Sequence, residues 1–196
     1  AQILVNTPRK QTGQITLSDK NGIIDISTNH VRISINKQTG LFKIINPIDN
    51  KVITETIAPV ELSGKQTKLS LKESPEEYFY GGGVQNGRFS HKGKIIAIKN
   101  TNNWTDGGVA SPTPYYWSTN GYGVMWHTFK KGKYDFGATQ KGIVQLSHDT
   151  DYLDLFFMIN STPVALLNDF CQLTGNPVLL PKFGFYEGHL NAYNRD

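Results

Sequence analysis

The chain is poor in the residues on which several functions depend. It holds a single cysteine, Cys171, among 196 residues, so no disulfide can close within it and no cysteine-built metal site can be assembled. Set in an apolar helical pattern, that thiol reads as a small core residue. The five histidines, His30, His91, His127, His148 and His189, never stand at H-x-H or H-x-x-x-H spacing, and the acids form no compact ligand set. Neither a metal nor a cofactor is expected from that pattern. No apolar run approaches the ~20 residues of a bilayer-spanning helix. Basic residues are dispersed, with no run longer than Lys130-Lys131 despite a net charge of +4. A nucleic-acid surface normally shows a concentrated stripe, so no nucleic-acid or membrane partner is expected.

Both ends are abrupt. The chain starts at Ala1 without Met or a signal-like segment, and "GHLNAYNRD" closes it with neither a helix stop nor a polar tail. An excised piece of a longer protein is expected. A start at "AQILV" also suits a chain trimmed of an export signal, which leans localisation toward an exported or periplasmic bacterial protein.

What is present is mostly alternation. "QITLSD", "GIIDIST", "HVRISIN", "LFKIIN", "KVITETI", "KIIAIK" and "IVQLS" alternate apolar with polar residues, and turn formers such as Asn21-Gly22, Thr39-Gly40, Asn120-Gly121 and Lys141-Gly142 lie between them. Strands at roughly 8–12-residue spacing predict a mainly β, antiparallel sandwich or barrel. "YLDLFFMI" is apolar on both faces toward its end, which predicts a central strand. One helix is expected in "NSTPVALLNDFCQLTGNP": Ser161 or Thr162 as cap, Pro163 at the first helical position, Leu166, Phe170 and Leu173 at helical spacing, and Gly175 as the stop before Pro177. The change of period places boundaries at 1–160 for the β domain, 161–180 for a connector, and 181–196 for the start of a further strand-bearing unit.

Two stretches bear on chemistry. "EYFYGGGVQNGRF" has three consecutive glycines, but no Gly-Lys-Ser/Thr and no G-x-G-x-x-G spacing follow, so a tight turn or bulge with close backbones is expected rather than a phosphate loop. No G-x-S-x-G elbow supports nucleophilic serine chemistry. "NNWTDGGVASPTPYYWSTNGYGVMWH" contains all three tryptophans. Tyr115, Tyr116, Tyr122 and Trp126 are expected in the core, as aromatics of a β domain usually are. "NWTDGGVASPTP" reads as a long polar loop between strands, and such loops commonly carry function. An indole beside a carboxylate, Trp104 beside Asp106, can stack on a sugar face while the carboxylate accepts hydroxyl hydrogen bonds.

"YFYGGGVQNGRF" resembles the Y-G-x-G-E/x-Q segment of the N-terminal domain of glycoside hydrolase family 31, the α-glucosidase and α-xylosidase family. "NNWTDGG…PYYWSTNGYGVMWHTF" is similar to that family's W-x-x-D loop and following hairpin. "STPVALLNDFCQLTGNPVLLPKFGF" resembles its connector into the catalytic barrel. The three stretches keep the family's order and span about residues 77–186. The resemblance implies a galactose-mutarotase-like β-sandwich followed by the start of a (β/α)8 barrel, and retaining hydrolysis or transfer of α-linked oligosaccharides. In that mechanism two carboxylates ~5–5.5 Å apart act as nucleophile and acid/base. The family carries both inside the barrel, so no catalytic residue is expected in this chain. The resemblance also implies that Asp106 binds substrate, with Trp104 as its neighbour. The family often has a small hydroxyl residue where this chain has Gly108, and Asn86 and "KFGFYEGHLNAYNRD" depart from it as well. That last stretch is closer to bacterial members acting on α-1,6- or α-1,3-linked glucans, and residues 187–193 fall on the first barrel loop.

The reading is therefore the substrate-loop domain of a retaining α-glycosidase, inactive alone and dependent on a missing catalytic barrel. Its rivals are a stand-alone carbohydrate-binding sandwich and a purely structural domain. Residues after about 180 are expected to be poorly ordered or paired with a neighbouring molecule.

Overall fold

The computed structural model describes Leu4, residues 13–179 and Pro181. The expected behaviour of the segment after 180 therefore lies outside the described residues. Among the described residues fourteen strands and one helix follow one another, the strands in three antiparallel sheets.

Strands β1 (Thr16–Lys20), β2 (Ile23–Ser27), β3 (Arg32–Asn36), β4 (Phe42–Ile45) and β5 (Val52–Glu55) form a meander in chain order. The tight turns expected from the Gly and Asn pairs join them; Asn21 and Gly22 both take positive φ, 51° and 78°. A second sheet has the order β6 (Glu61–Leu62), β7 (Thr67–Lys72), β13 (Ile143–His148), β12 (Gly132–Phe136) and β9 (Ile95–Ile98). The third has the order β14 (Leu155–Ile159), β11 (Tyr122–Trp126), β10 (Val109–Ser118) and β8 (Phe79–Gln85).

The second and third sheets close over one core. Leu69, Leu71, Ile96, Tyr134, Phe136, Val144 and Leu146 come from one side, and Phe79, Tyr116, Tyr122, Val124 and Trp126 from the other. Phe42 and Ile53 of the first sheet pack against the same core, and a bridge between Thr56 and Leu71 ties that sheet to β7. The rings meet edge-on or stacked, with Phe79 and Phe136 4.7 Å apart and Tyr116 and Phe136 5.1 Å apart. Tyr115, Tyr116, Tyr122 and Trp126 are thus interior, as expected.

The third sheet is covered on its other face too. Helix α1 (Pro163–Thr174) begins at Thr162, whose Oγ1 accepts from the Ala165 N–H at 3.3 Å, and stops at Gly175 with φ 91°. Leu166, Phe170 and Leu173 fall on one helical face and meet Tyr115, Met125 and Met158. Phe170 stacks on Tyr115 at 4.3 Å.

This arrangement corrects the placement of "YLDLFFMI". Among the described residues β14 is an edge strand, not a central one. It is apolar on both faces because Leu155, Phe157 and Ile159 face the sandwich core while Phe156 and Met158 face the helix. Two-sided burial came from a helical cover rather than from flanking strands.

Candidate functional site

The site is built where the chain passes from β9 to β10. The loop covers residues 99–108, shorter than the polar stretch suggested, because Val109–Pro114 already belongs to β10 and Val109 and Ala110 are buried. That is a correction to the loop reading, and its cause lies in β8. A side chain at Gly83 would overlap the Ser111 carbonyl, and one at Gly81 would lie 2.8 Å from the Tyr115 carbonyl. The glycines let β10 run directly against β8 through register shifts at Val109/Ser111 and Pro112/Tyr116. Prolines in a strand belong at such irregularities, where no ladder N–H is required. The close-backbone reading of the triple glycine holds.

Within the loop the short polar side chains bond their own backbone, as such residues do in turns. Asn100 Oδ1 accepts from the Asn102 N–H at 2.8 Å, and Asn103 Oδ1 accepts from the N–H and hydroxyl of Thr105 at 3.0 and 2.7 Å. The Thr101 and Asn103 N–H groups both reach the Val109 carbonyl at 3.3 Å. Trp104 donates its indole N–H to Asn102 Oδ1 at 3.2 Å and stays 69% exposed, so the ring is aimed without being packed away.

Asp106 is exposed, at the tip of this loop. A second turn, leaving β8, holds the loop. Asn86 donates its N–H to the Gly108 carbonyl (3.0 Å), accepts from the Gly107 N–H (2.9 Å), and donates its side-chain amide to the Asn103 carbonyl (2.8 Å). Arg88 donates to the Ile95 carbonyl at 2.5 Å, and its other terminal nitrogen would sit 3.3 Å from a Cβ on Gly107. The structure thus brings Asp106 and Trp104 onto one loop and adds Asn86 and Gly87, which sequence reasoning did not assign to the site. The Asn-Gly pair at 86–87 was a turn signal, but nothing in the sequence says which loop the turn touches.

Gly108, where the family often has a hydroxyl, is buried, and a Cβ there would run into the Asn103 carbonyl, with Asn103 Cγ 2.7 Å away. Asn103 occupies the space a side chain at 108 would need. Among the described residues no group of three or more His, Cys, Asp or Glu gathers in a metal-holding arrangement. Of the cavities of about 400 and 460 Å³, one lies beside α1 and β14 and the other at the start of the loop, between Lys99, Asn100, Pro112 and Phe129, and neither includes Asp106. The carboxylate therefore stands on an open surface and does not form an enclosed pocket by itself.

Comparison with known proteins places this geometry. Residues 4–135 match the glycosyl hydrolase 31 N-terminal galactose mutarotase-like domain. An α-xylosidase from Emericella nidulans is 29% identical over 120 residues, covering 61% of this chain and 15% of the relative. The α-xylosidase XylQ of Lactiplantibacillus pentosus is 30% identical over 115 residues, covering 56% and 15%. The chain thus spans a small part of the curated relatives it matches. Among solved structures, a Flavobacterium johnsoniae family 31 dextranase complexed with isomaltotriose superposes with a TM-score of 0.83 at 17% identity, over 92% of this chain and 23% of that one. A cycloalternan-forming enzyme from Listeria monocytogenes, in complex with a pentasaccharide substrate, gives 0.80 at 18% identity, over 92% and 19%. At these identities the structures establish the fold, and the matched domain establishes the family. The chain belongs to glycoside hydrolase family 31, as its N-terminal galactose-mutarotase-like domain.

Proposed function

We propose that this domain presents a substrate loop to the catalytic site of a retaining α-glycosidase, a hydrolase or transglycosylase acting on α-linked gluco- or xylo-oligosaccharides. In this reading Asp106 binds the sugar next to the cleavage point and Trp104 flanks it. The nucleophile and the acid/base come from a (β/α)8 barrel. The observation that carries the reading is the state of Asp106: an exposed carboxylate on a loop pinned from both sides, with no hydrogen bond or ion pair to it among the described residues. A carboxylate so placed has its acceptor sites ready for hydroxyl groups. The open surface around it fits a residue that completes a pocket supplied by another domain. The relatives named as α-xylosidases and the dextranase bound to isomaltotriose support the substrate class.

The chemistry asked of this chain is binding and orientation. A charged hydrogen bond to the sugar helps to fix the ring while the barrel's two carboxylates act in turn. The test is hydrolysis of p-nitrophenyl α-glucoside, p-nitrophenyl α-xyloside and isomaltose by the 196-residue chain and by the protein extended to the gene's natural stop codon. Activity is expected only in the longer protein. There Asp106→Ala should lower kcat/KM by the equivalent of ~1.5–3 kcal/mol, on the order of tenfold to a hundredfold. An unchanged kcat/KM would remove Asp106 from the site. Activity in the short chain, or a stop codon directly after Asp196, would favour an independent enzyme or a stand-alone sugar-binding module.

A further inference from the structure

A carboxylate that contacts substrate is usually held by hydrogen bonds from the protein, and each of these occupies an acceptor site that a sugar hydroxyl could use. Asp106 is held in another way. The turn leaving β8 has no side chain at Gly87, and a Cβ built there would fall on Oδ1 of Asp106, with the carboxylate carbon 2.6 Å away. The carboxylate fills the place of the missing side chain. Asn86, immediately before, bonds to Gly107 and Gly108 after Asp106 and to Asn103 before it, so the loop is fastened on both sides of the acid.

Backbone conformation does not by itself demand glycine here. Gly87 has φ 68°, and this chain sets Asn21, Asn50 and Asn102 at φ 51°, 57° and 48°. Asparagine tolerates that region. At position 87 an asparagine would meet the turn's need as it does at those three, but it could not coexist with the Asp106 carboxylate where it now lies.

Building on the assignment of Asp106 to sugar contact, we propose that Gly87 is a positioning residue for the substrate-binding carboxylate. Its missing side chain forms the seat that Oδ1 rests in, Asn86 fastens the loop onto that seat, and among the described residues no protein donor takes up either carboxylate oxygen. Shape, not hydrogen bonding, aims the acid.

A double-mutant cycle in the full-length protein tests this, with p-nitrophenyl α-glucoside and p-nitrophenyl α-xyloside as probes and the thermal midpoint recorded for every variant. Gly87→Asn adds a side chain while respecting the turn. It should lower kcat/KM about as far as Asp106→Ala does, on the order of tenfold or more, with the loss carried mainly in KM. Added to Asp106→Ala, it should cost no more than about twofold further, because the group it displaces is already gone. Asn86→Ala should behave in the same way, and it keeps the cycle measurable if Gly87→Asn does not fold. Losses that multiply in the double variants would overturn the proposal, since they would show position 87 acting through the fold alone. So would a Gly87→Asn enzyme with wild-type kcat/KM. If Asp106→Ala itself leaves kcat/KM unchanged, the assignment of Asp106 fails first, an outcome distinct from a failed cycle.

Discussion

Two tryptophans of this chain, twenty-two positions apart in the sequence, show how the same side chain serves opposite ends. Trp126 is wholly buried beside the His148 ring, 4.7 Å between centroids, in the middle of the sandwich core. Trp104 is 69% exposed, and its indole N–H bonds Asn102 within its own loop. Removing the first leaves a large cavity in a close-packed interior; removing the second leaves only more solvent. Trp126→Ala is therefore expected to cost ~3–5 kcal/mol of stability, whereas Trp104→Ala should stay within ~0.5 kcal/mol. Urea unfolding of both variants measures this. If Trp104 stacks on sugar, its variant should nonetheless lower kcat/KM in the full-length protein. A Trp104→Ala protein with a clearly lowered unfolding midpoint would instead make the indole a structural part of the loop. Asp106 and Gly108 extend the contrast. An exposed acid keeps its acceptors available, while a buried glycine yields its space to Asn103, so restoring a hydroxyl at 108 would disturb the loop before it could reach a sugar.

At the scale of single elements, α1 explains why the outer face of the third sheet is not wet. Leu166 is 1% exposed and sits among Tyr115, Met125 and Met158. Leu166→Ala should destabilise by ~2–5 kcal/mol, the range for truncating a buried leucine. Loss of the Thr162 cap by Thr162→Ala should cost only ~1 kcal/mol. Chemical denaturation that ranks these two in the opposite order would mean the helix is not anchored through Leu166. The helix was legible in the sequence because its signals are local: a capping threonine, Pro163, the 166–170–173 spacing and Gly175. The edge position of β14 was not, since a strand apolar on both faces looks the same whether strands or a helix cover it. β7 and β12 also alternate, with Leu69 and Leu71 inward from one and Tyr134 and Phe136 from the other, but two large apolar residues each make a weak periodic signal. The start of β10 was hidden by Pro112 and Pro114, which read as loop until the glycines of β8 are placed opposite them. Asp106 and Trp104 could be picked out as a chemical pair. The contact of Asn86 and Gly87 with their loop could not, because it joins segments about twenty residues apart, in part through backbone groups that every residue type shares.

The molecule as a whole should respond to pH through buried groups other than the loop acid. His148 is fully buried. Its Nδ1 lies 2.9 Å from the Lys130 carbonyl, which can only accept, so Nδ1 carries the proton and Nε2 accepts from the Tyr134 hydroxyl at 3.0 Å. His91 is 1% exposed; its Nε2 donates to the Gly81 carbonyl at 2.8 Å, and its Nδ1 has no partner among the described residues. Burial lowers the pKa of both from the ordinary 6.5. As the pH falls below that value, the unfolded chain binds protons at both positions while the folded chain does not, so stability is lost until the lowered folded values are reached. Glu77 acts with the opposite sign. It accepts from Ser118, Tyr122 and the Ser74 N–H at 2.5, 2.8 and 2.9 Å, yet burial outweighs these donors and raises its pKa above 4.5. Its contribution is complete below 4.5 and is lost as the pH rises through the folded value. Glu55, lowered from 4.5 by Lys72 and Lys43, changes only below that range. As the pH drops from ~8 toward ~5.5 the two histidines take up protons in the unfolded chain first, and the urea midpoint of the wild-type protein should fall toward the acid side. His148→Gln can keep both hydrogen bonds without titrating, and should flatten that fall. Glu77→Gln removes the group of opposite sign and should take away its loss of stability on the alkaline side of the raised carboxyl pKa. A His148→Gln profile parallel to wild type would show that His148 takes up its proton equally well in the folded and unfolded chain, and that burial alone does not hold it neutral.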